Sequence, residues 1–277
     1  MKKILSLSVL LILIVSVTAH EFWLAPKKFW FQVNDTATLN FKVGEHFLGD
    51  NWKGNKSKVN QLLYYSPSST NSIGNLLSGN EGDSIKIVLR EEGTHMVIFN
   101  SNNSFIELEA DKFNAYLKED GIMNTLTYRK EHDEENKKGT EYYQRSVKTL
   151  FNVGINKTTN QITQPTALPL DIIPSTNPYA YLQIPEKIEF TVLFKGKPLA
   201  HQQMKVWNSK QHEAVNEINV FTDANGKFKF KISKAGSGMW MISTVYMERN
   251  TIDNKADWQS YWGSLTFGYG NFLLKKN

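Results

Sequence analysis

A bond near the start of the chain decides what chemistry the rest can do. Val17-Thr18-Ala19 precedes His20, and a cut after Ala19 gives His20 a free α-amino group beside its imidazole. The amine and the ring close one chelate on a transition-metal ion, and an amine with an ordinary pKa of about 8 yields its proton to a cation near neutrality. A second histidine completes a three-nitrogen brace. Such a donor set suits copper or nickel, and zinc less specifically, because imidazole and amine are borderline ligands. The other N-terminal chelate, which threads two backbone amides between amine and imidazole, needs histidine at the third mature position. That position is Phe22, so the amide chelate is excluded.

Six histidines are available in all. His95, in Gly93-Thr94-His95-Met96-Val97, opens an expected strand and is the first choice of partner, with a satisfied core histidine as the alternative. His46, in Gly44-Glu45-His46-Phe47, falls on a loop after a strand, where ligands are often carried. Glu45 beside it can ligate or orient a ligand. His132, His201 and His212 lie in charged or turn segments and read as solvated surface.

The absence of cysteine removes thiolate zinc sites, cysteine nucleophiles and Cys-ligated clusters together. No HExxH occurs, Gly74–Gly79 lacks the lysine of a phosphate loop, and no GxSxG elbow exists. Asp257-Trp258-Gln259-Ser260-Tyr261-Trp262 gathers three aromatics around a carboxylate, which suits an aromatic corner better than a sugar platform. Glu131–Lys138 is a charge run of the kind that solvated loops carry.

The elements that would position these residues begin with a leader. Lys2 and Lys3 precede an apolar run from Ile4 to Val17; that run is shorter than the ~20 residues a bilayer span needs and reads as a cleavable signal peptide over residues 1–19. Its removal predicts an exported protein, periplasmic or secreted, with no membrane-spanning segment. The formal net charge of +5 falls by the two leader lysines to +3, with no block of like charge, which argues against nucleic-acid binding.

After the leader the pattern is of short β runs. Trp30–Val33 and Thr36–Val43, separated by Asn34-Asp35, read as a hairpin. Further strands are expected at 84–89, 95–99 and 104–108. Asp111–Glu119 reads as a short helix capped by Asp111 and ended by Gly121, with Phe113, Tyr116 and Leu117 on one face. Asn136–Leu150 shows no β alternation. Five of the eight prolines crowd residues 165–185, which predicts a connection rather than a helix or central strand. Beyond it, strands are expected at 187–194, 203–207, 218–221, 227–232, 238–247 and 264–269, with turns at 196–198 and 222–226. The fold class is therefore mainly β: two β-sandwich domains, immunoglobulin-like or prealbumin-like, over 20–164 and 186–277, the first with a short helical insertion.

Several stretches resemble one family. They are Ala19–Leu24, Gly93-Thr94-His95, Ile106–Leu108 with Lys112–Leu117 and Gly121, Leu168–Pro174 with Asn177–Tyr179, and Ala256–Trp262. In order and in kind they resemble the DUF4198 family of exported proteins, related to periplasmic components of nickel or cobalt uptake. The resemblance implies a metal-binding or metal-delivery protein that works with a membrane transporter or outer-membrane receptor. It carries the family's N-terminal histidine onto His20 and its Gly-x-His onto His95. At Val245-Tyr246-Met247 the chain departs from relatives that carry histidine before the methionine, and the resemblance implies an axial role for Tyr246 or a weaker site.

The expectation from these readings is a non-enzymatic binder of a divalent transition-metal ion through His20 and His95, supplemented by His46, Glu45 or Tyr246. Two alternatives come from other classes. One is a copper-dependent oxidative enzyme acting on glycans, and the other a metal-free interaction or carbohydrate-binding module.

Overall fold

Alternation of side chains across one long sheet sets the architecture. In the computed structural model residues 21–80, 84–155, 161–180, 184–209, 215–232 and 238–269 are described. The leader, His20 and His212 lie outside them. In chain order the strands are β1 (Glu21–Pro26), β2 (Trp30–Phe31), β3 (Thr36–Glu45), β4 (Leu48–Asn51), β5 (Val59–Tyr65), β6 (Thr70–Ser72), β7 (Ser84–Val88), β8 (Gly93–Ser101) and β9 (Ser104–Leu108). Helices α1 (Ala110–Glu119) and α2 (Met123–Glu131) follow, then β10 (Gly139–Val153), β11 (Leu170–Pro174), β12 (Lys187–Phe194) and β13 (Lys197–Pro198). The chain continues with β14 (Gln203–Ser209), β15 (Asn216–Phe221), β16 (Lys227–Lys231), β17 (Gly238–Arg249) and β18 (Trp258–Tyr269).

The protein is mainly β, with open sheets packed as a sandwich. A ten-stranded sheet runs β15-β14-β17-β18-β10-β8-β5-β6, with β2 and β9 also pairing β10. It draws strands from both sides of the expected connection, because β10 and β18 pair in parallel from Glu141 opposite Trp258 to Thr149 opposite Thr266. A sheet of β1, β3, β4 and β7 and another of β11, β12, β13 and β16 make up the rest. Successive residues of β8 show how the layers stack. Met96 and Ile98 join the core formed with Phe190, Phe228 and Phe267, whereas Val97 and Phe99 join the core formed with Phe22, Leu39 and Phe41. Side chains alternate across a strand, so the long sheet is a middle layer with a smaller sheet on each face.

The sequence expectations fail in instructive places. Asn136–Leu150 lacks β alternation, yet β10 occupies most of it. Both faces of β10 are covered, and Glu141, Lys148 and Asn152 are buried in it, so the polar/apolar alternation of a half-exposed strand never appears. Lys148 is held by an ion pair with buried Asp171 of β11, whose other carboxylate oxygen accepts from Thr166. The expected hairpin at 30–43 does not form. β2 pairs β10, because Asn34, at φ 71°, donates its backbone N–H to Leu89 O and turns the chain away into the other sheet. The proline-dense segment does contain a strand, β11, but it lies at the edge of its sheet, where a missing donor is tolerated. The Thr222–Gly226 turn joins β15 and β16 in different sheets.

Helix α1 buries Phe113, Tyr116 and Leu117 as their spacing predicts, and Gly121 follows it at φ 69°. Its N-cap is Glu109 rather than Asp111. The second helix, α2, was not anticipated. The 257–262 aromatics form the start of β18 and are largely buried, consistent with a packing corner.

Candidate functional site

The start of β1 is fixed by backbone and side chain together. Glu21 opposes Gly44 of β3 in antiparallel register. Ser264 and Thr266 of β18 donate hydroxyl hydrogen bonds to the carbonyls of Phe22 and Leu24 at 2.6 and 2.8 Å. Phe22 stacks on Phe99, and Trp23 is buried against Phe47. Aromatic burial thus anchors this segment over the described residues.

Glu21 itself is a buried carboxyl that accepts a 2.9 Å hydrogen bond from Ser243. Burial pushes its pKa up to about 7, against the pull of nearby Lys205. Lys205 is paired at 2.6 Å with Asp120, whose own carboxyl is raised by burial. A second buried carboxyl, Glu141, is also pushed up to about 7 by burial; it takes hydrogen bonds from Ser260 and Tyr116.

Glu45 and His46 lie beside this start. They belong to the turn Glu45-His46-Phe47-Leu48 that closes β3 onto β4, with Glu45 opposite Leu48. His46 and Phe47 have φ of 50° and 60°, the mirror-image turn that matches strand twist but normally takes Asn-Gly. Two side-chain-bearing residues in this region cost about 1 kcal/mol or more each, so the surroundings must hold them. They do: Phe47 packs edge-on against Trp23 and Trp207, and the His46 ring stacks on Trp207 at 5.1 Å. Gly44 and Gly49 face each other across the hairpin, where an added Cβ would run into the opposite backbone.

His46 Nε2 lies 3.0 Å from Glu217 Oε2 of β15. A carboxylate only accepts, so Nε2 carries the hydrogen, and in the neutral ring Nδ1 holds the lone pair. The imidazole is half exposed.

His95 is a different object. It is fully buried, its ring sandwiched between Tyr64 and Phe151 at 5.6 Å on either side. Nε2 lies 3.0 Å from Glu91 O and Nδ1 2.6 Å from the Tyr64 hydroxyl. A carbonyl cannot donate, so Nε2–H donates to it and Nδ1 accepts from Tyr64, which leaves no lone pair for an ion. Burial keeps the ring neutral by holding its pKa below the usual value. His95 opposes Phe151 on β10, whereas the β1 start lies near Val147, the partner of Ser264; four residues of strand separate the two by about 13 Å.

Tyr246 is also apart. It packs on Phe194 at 4.4 Å, on the opposite face of β17 from Ser243. Of the sequence candidates, then, the structure brings together Glu45 and His46 beside Glu21, and places His95 and Tyr246 elsewhere. Among the described residues no group of three His, Asp or Glu side chains is disposed to hold a metal. His132 is exposed and stacks on Tyr128, and His201 is an exposed turn residue.

A groove of about 790 Å³ opens along the β3–β4 hairpin and β10, lined by Glu45, His46, Asp50, Trp52, Tyr143 and Arg145 among others. Glu217, Arg145 and Glu21 were missed in the sequence. Only Glu21 carried a signal there, as the residue next to His20.

The family model described as "Domain of unknown function (DUF4198)" matches residues 17–248. The chain belongs to the DUF4198 family. No curated protein matches it. Among solved structures it is similar to the D0-D1 domain of intimin, at 11% identity over 88% of this chain and 97% of that one, with a TM-score of 0.21. Latent PorU from Porphyromonas gingivalis aligns at 11% identity over 90% of this chain and 20% of that one, with a TM-score of 0.20. Trypsin-activated alpha-2-macroglobulin from Escherichia coli aligns at 9% identity over 91% and 16%, with a TM-score of 0.21. Superpositions this loose carry no argument about fold detail or function.

Proposed function

We propose that this DUF4198 protein is exported, loses residues 1–19, and captures a divalent late first-row ion, nickel or copper, at its new terminus. The amine and imidazole of His20 form the chelate. His46 supplies the third nitrogen in place of His95, and Glu45 is an oxygen donor within the same turn. The observation that carries this reading is the Glu217–His46 pair on a strained turn beside the first residue of β1. A carboxylate that fixes one ring nitrogen raises the basicity of the other, which is how metal-ligating histidines are commonly prepared. Holding a histidine where glycine is preferred costs stability, and backbone strain of that kind collects at functional positions.

Release to a membrane transporter or receptor would proceed by ligand exchange, with no catalytic turnover. The test combines N-terminal sequencing of exported protein with calorimetry of nickel, copper and zinc on the mature chain. Tight binding is expected to disappear when one residue is added before His20 and to weaken on His46→Ala. Affinity unchanged by the extension overturns the reading.

A further inference from the structure

The groove beside His46 holds a cation, Arg145, that forms no ion pair among the described residues. Arg145 rises from β10 with its guanidinium 4.7 Å over the Phe22 ring and 5.6 Å from that of Tyr143. Among the described residues its Nη1 has no hydrogen-bond acceptor. The Tyr143 hydroxyl acts on it more strongly than any carboxyl, and Glu21, the carboxyl that also acts on it, is engaged with Ser243. Elsewhere in the described structure the buried or half-buried cations have partners: Lys148 has Asp171, Lys205 has Asp120, and Arg129 bonds to Asn114 and Lys137 O. Leaving a donor of a charged group without an acceptor costs roughly 1–3 kcal/mol or more, a cost that a bound acceptor can remove.

The walls around Arg145 narrow the class of that acceptor. Trp52 and Tyr143 offer aromatic surface, Lys53 adds a second, exposed cation, and Glu45 and Asp50 also line the groove. A volume of about 790 Å³ falls within the range of small-molecule sites, which are largely apolar with a few fixed polar groups. The two carboxylates disfavour phosphate and other multiply charged anions. A single planar carboxylate matches the guanidinium fork, and an aromatic or apolar body matches the indole and phenol.

We propose that this groove binds a small organic monocarboxylate, its carboxylate on Arg145 and its body against Trp52 and Tyr143. The site goes beyond metal capture and does not require an ion. Occupation beside His46 would nevertheless place a further oxygen donor next to any captured cation.

The experiment titrates the metal-free mature protein with phenylacetate, with benzylamine and with inorganic phosphate, read by tryptophan fluorescence and calorimetry. Saturable binding of phenylacetate alone is expected. Arg145→Gln is expected to weaken it at least about tenfold, as the loss of a charge-assisted pair requires. Lys53→Gln, a change at an exposed residue, should weaken it a few-fold. Equal binding of benzylamine, preference for phosphate, no saturable phenylacetate binding, or indifference to both Arg145→Gln and Lys53→Gln overturns the proposal. Nickel titration of the same variants separates the two readings, because phenylacetate binding can fail while the ion site survives, and the reverse.

Discussion

His95 and His46 are the same residue in opposite situations, and the contrast defines what a ligand requires. Around His95 every polar valence is used: a carbonyl takes the ring hydrogen, a phenol fills the lone pair, and two aromatic faces shut out water. Around His46 one nitrogen is fixed by Glu217 and one face by Trp207, while the ring stays half exposed on a backbone that would suit glycine better. The first arrangement builds a core, and the second is the one the proposed function uses as a donor. Sequence position alone does not separate them, because each histidine stands two residues after a glycine near one end of a strand.

The comparison breaks hardest at His95. His95→Ala should destabilise the fold by about 3–5 kcal/mol, from a cavity plus two stranded polar partners, measured by denaturant unfolding. The ion affinity of the folded fraction should not change. A loss of affinity with stability preserved would reverse the roles assigned to the two residues.

The next effect is electrostatic and belongs to the β1 start. Burial pushes the Glu21 carboxyl up to about 7 in the folded protein, from the 4.5 usual for a glutamate. A raised pKa means that the folded state binds the proton more tightly. The stabilisation is therefore complete below pH 4.5, falls as pH rises to 7, and is gone above; the difference is about 3 kcal/mol. Glu141 adds a similar slope in the same window. Glu21→Gln should flatten the stability profile between pH 4.5 and 7 and leave the parts due to Glu141 and Asp120. An unaltered profile would mean that Glu21 is not protonated on folding.

A smaller effect sharpens the His46 side. Glu217→Gln keeps the shape of the side chain but removes the charge behind the imidazole, and should weaken ion binding by about 10-fold or more, with little change in unfolding midpoint. The smallest effect is His46→Asn. Asparagine tolerates positive φ, so relief of strain offsets the lost stacking and hydrogen bond, and stability should move by less than about 1 kcal/mol while ion affinity drops. A large loss of stability on this change would assign His46 to structure.

How much of this was legible follows from what each segment faces. β9 matched its expected limits and β12 ran from Lys187 to Phe194 as expected, because in each one side meets solvent or a partly covered rim and residues alternate. β10 was not legible, since a strand covered on both faces and carrying buried Glu141 and Lys148 loses that period. The pairing of β10 with β18 spans more than a hundred residues and leaves no local mark. His46 and Glu45 could be named from their loop. Glu217, 171 residues away from His46, could not, nor could the way Tyr64 and Glu91 occupy both nitrogens of His95.

The parallel seam between β10 and β18 also sets a timetable for biosynthesis. Along its middle stretch β10 has β18 as its neighbour on that side, and β18 is made more than a hundred residues later. Until the ribosome has delivered Trp258–Tyr269, that stretch presents an open ladder of backbone donors and acceptors, the kind of edge that recruits other chains. A truncation before Trp258 should therefore yield insoluble aggregates rather than a smaller functional unit, even though the segment holding His46 and His95 would already be complete.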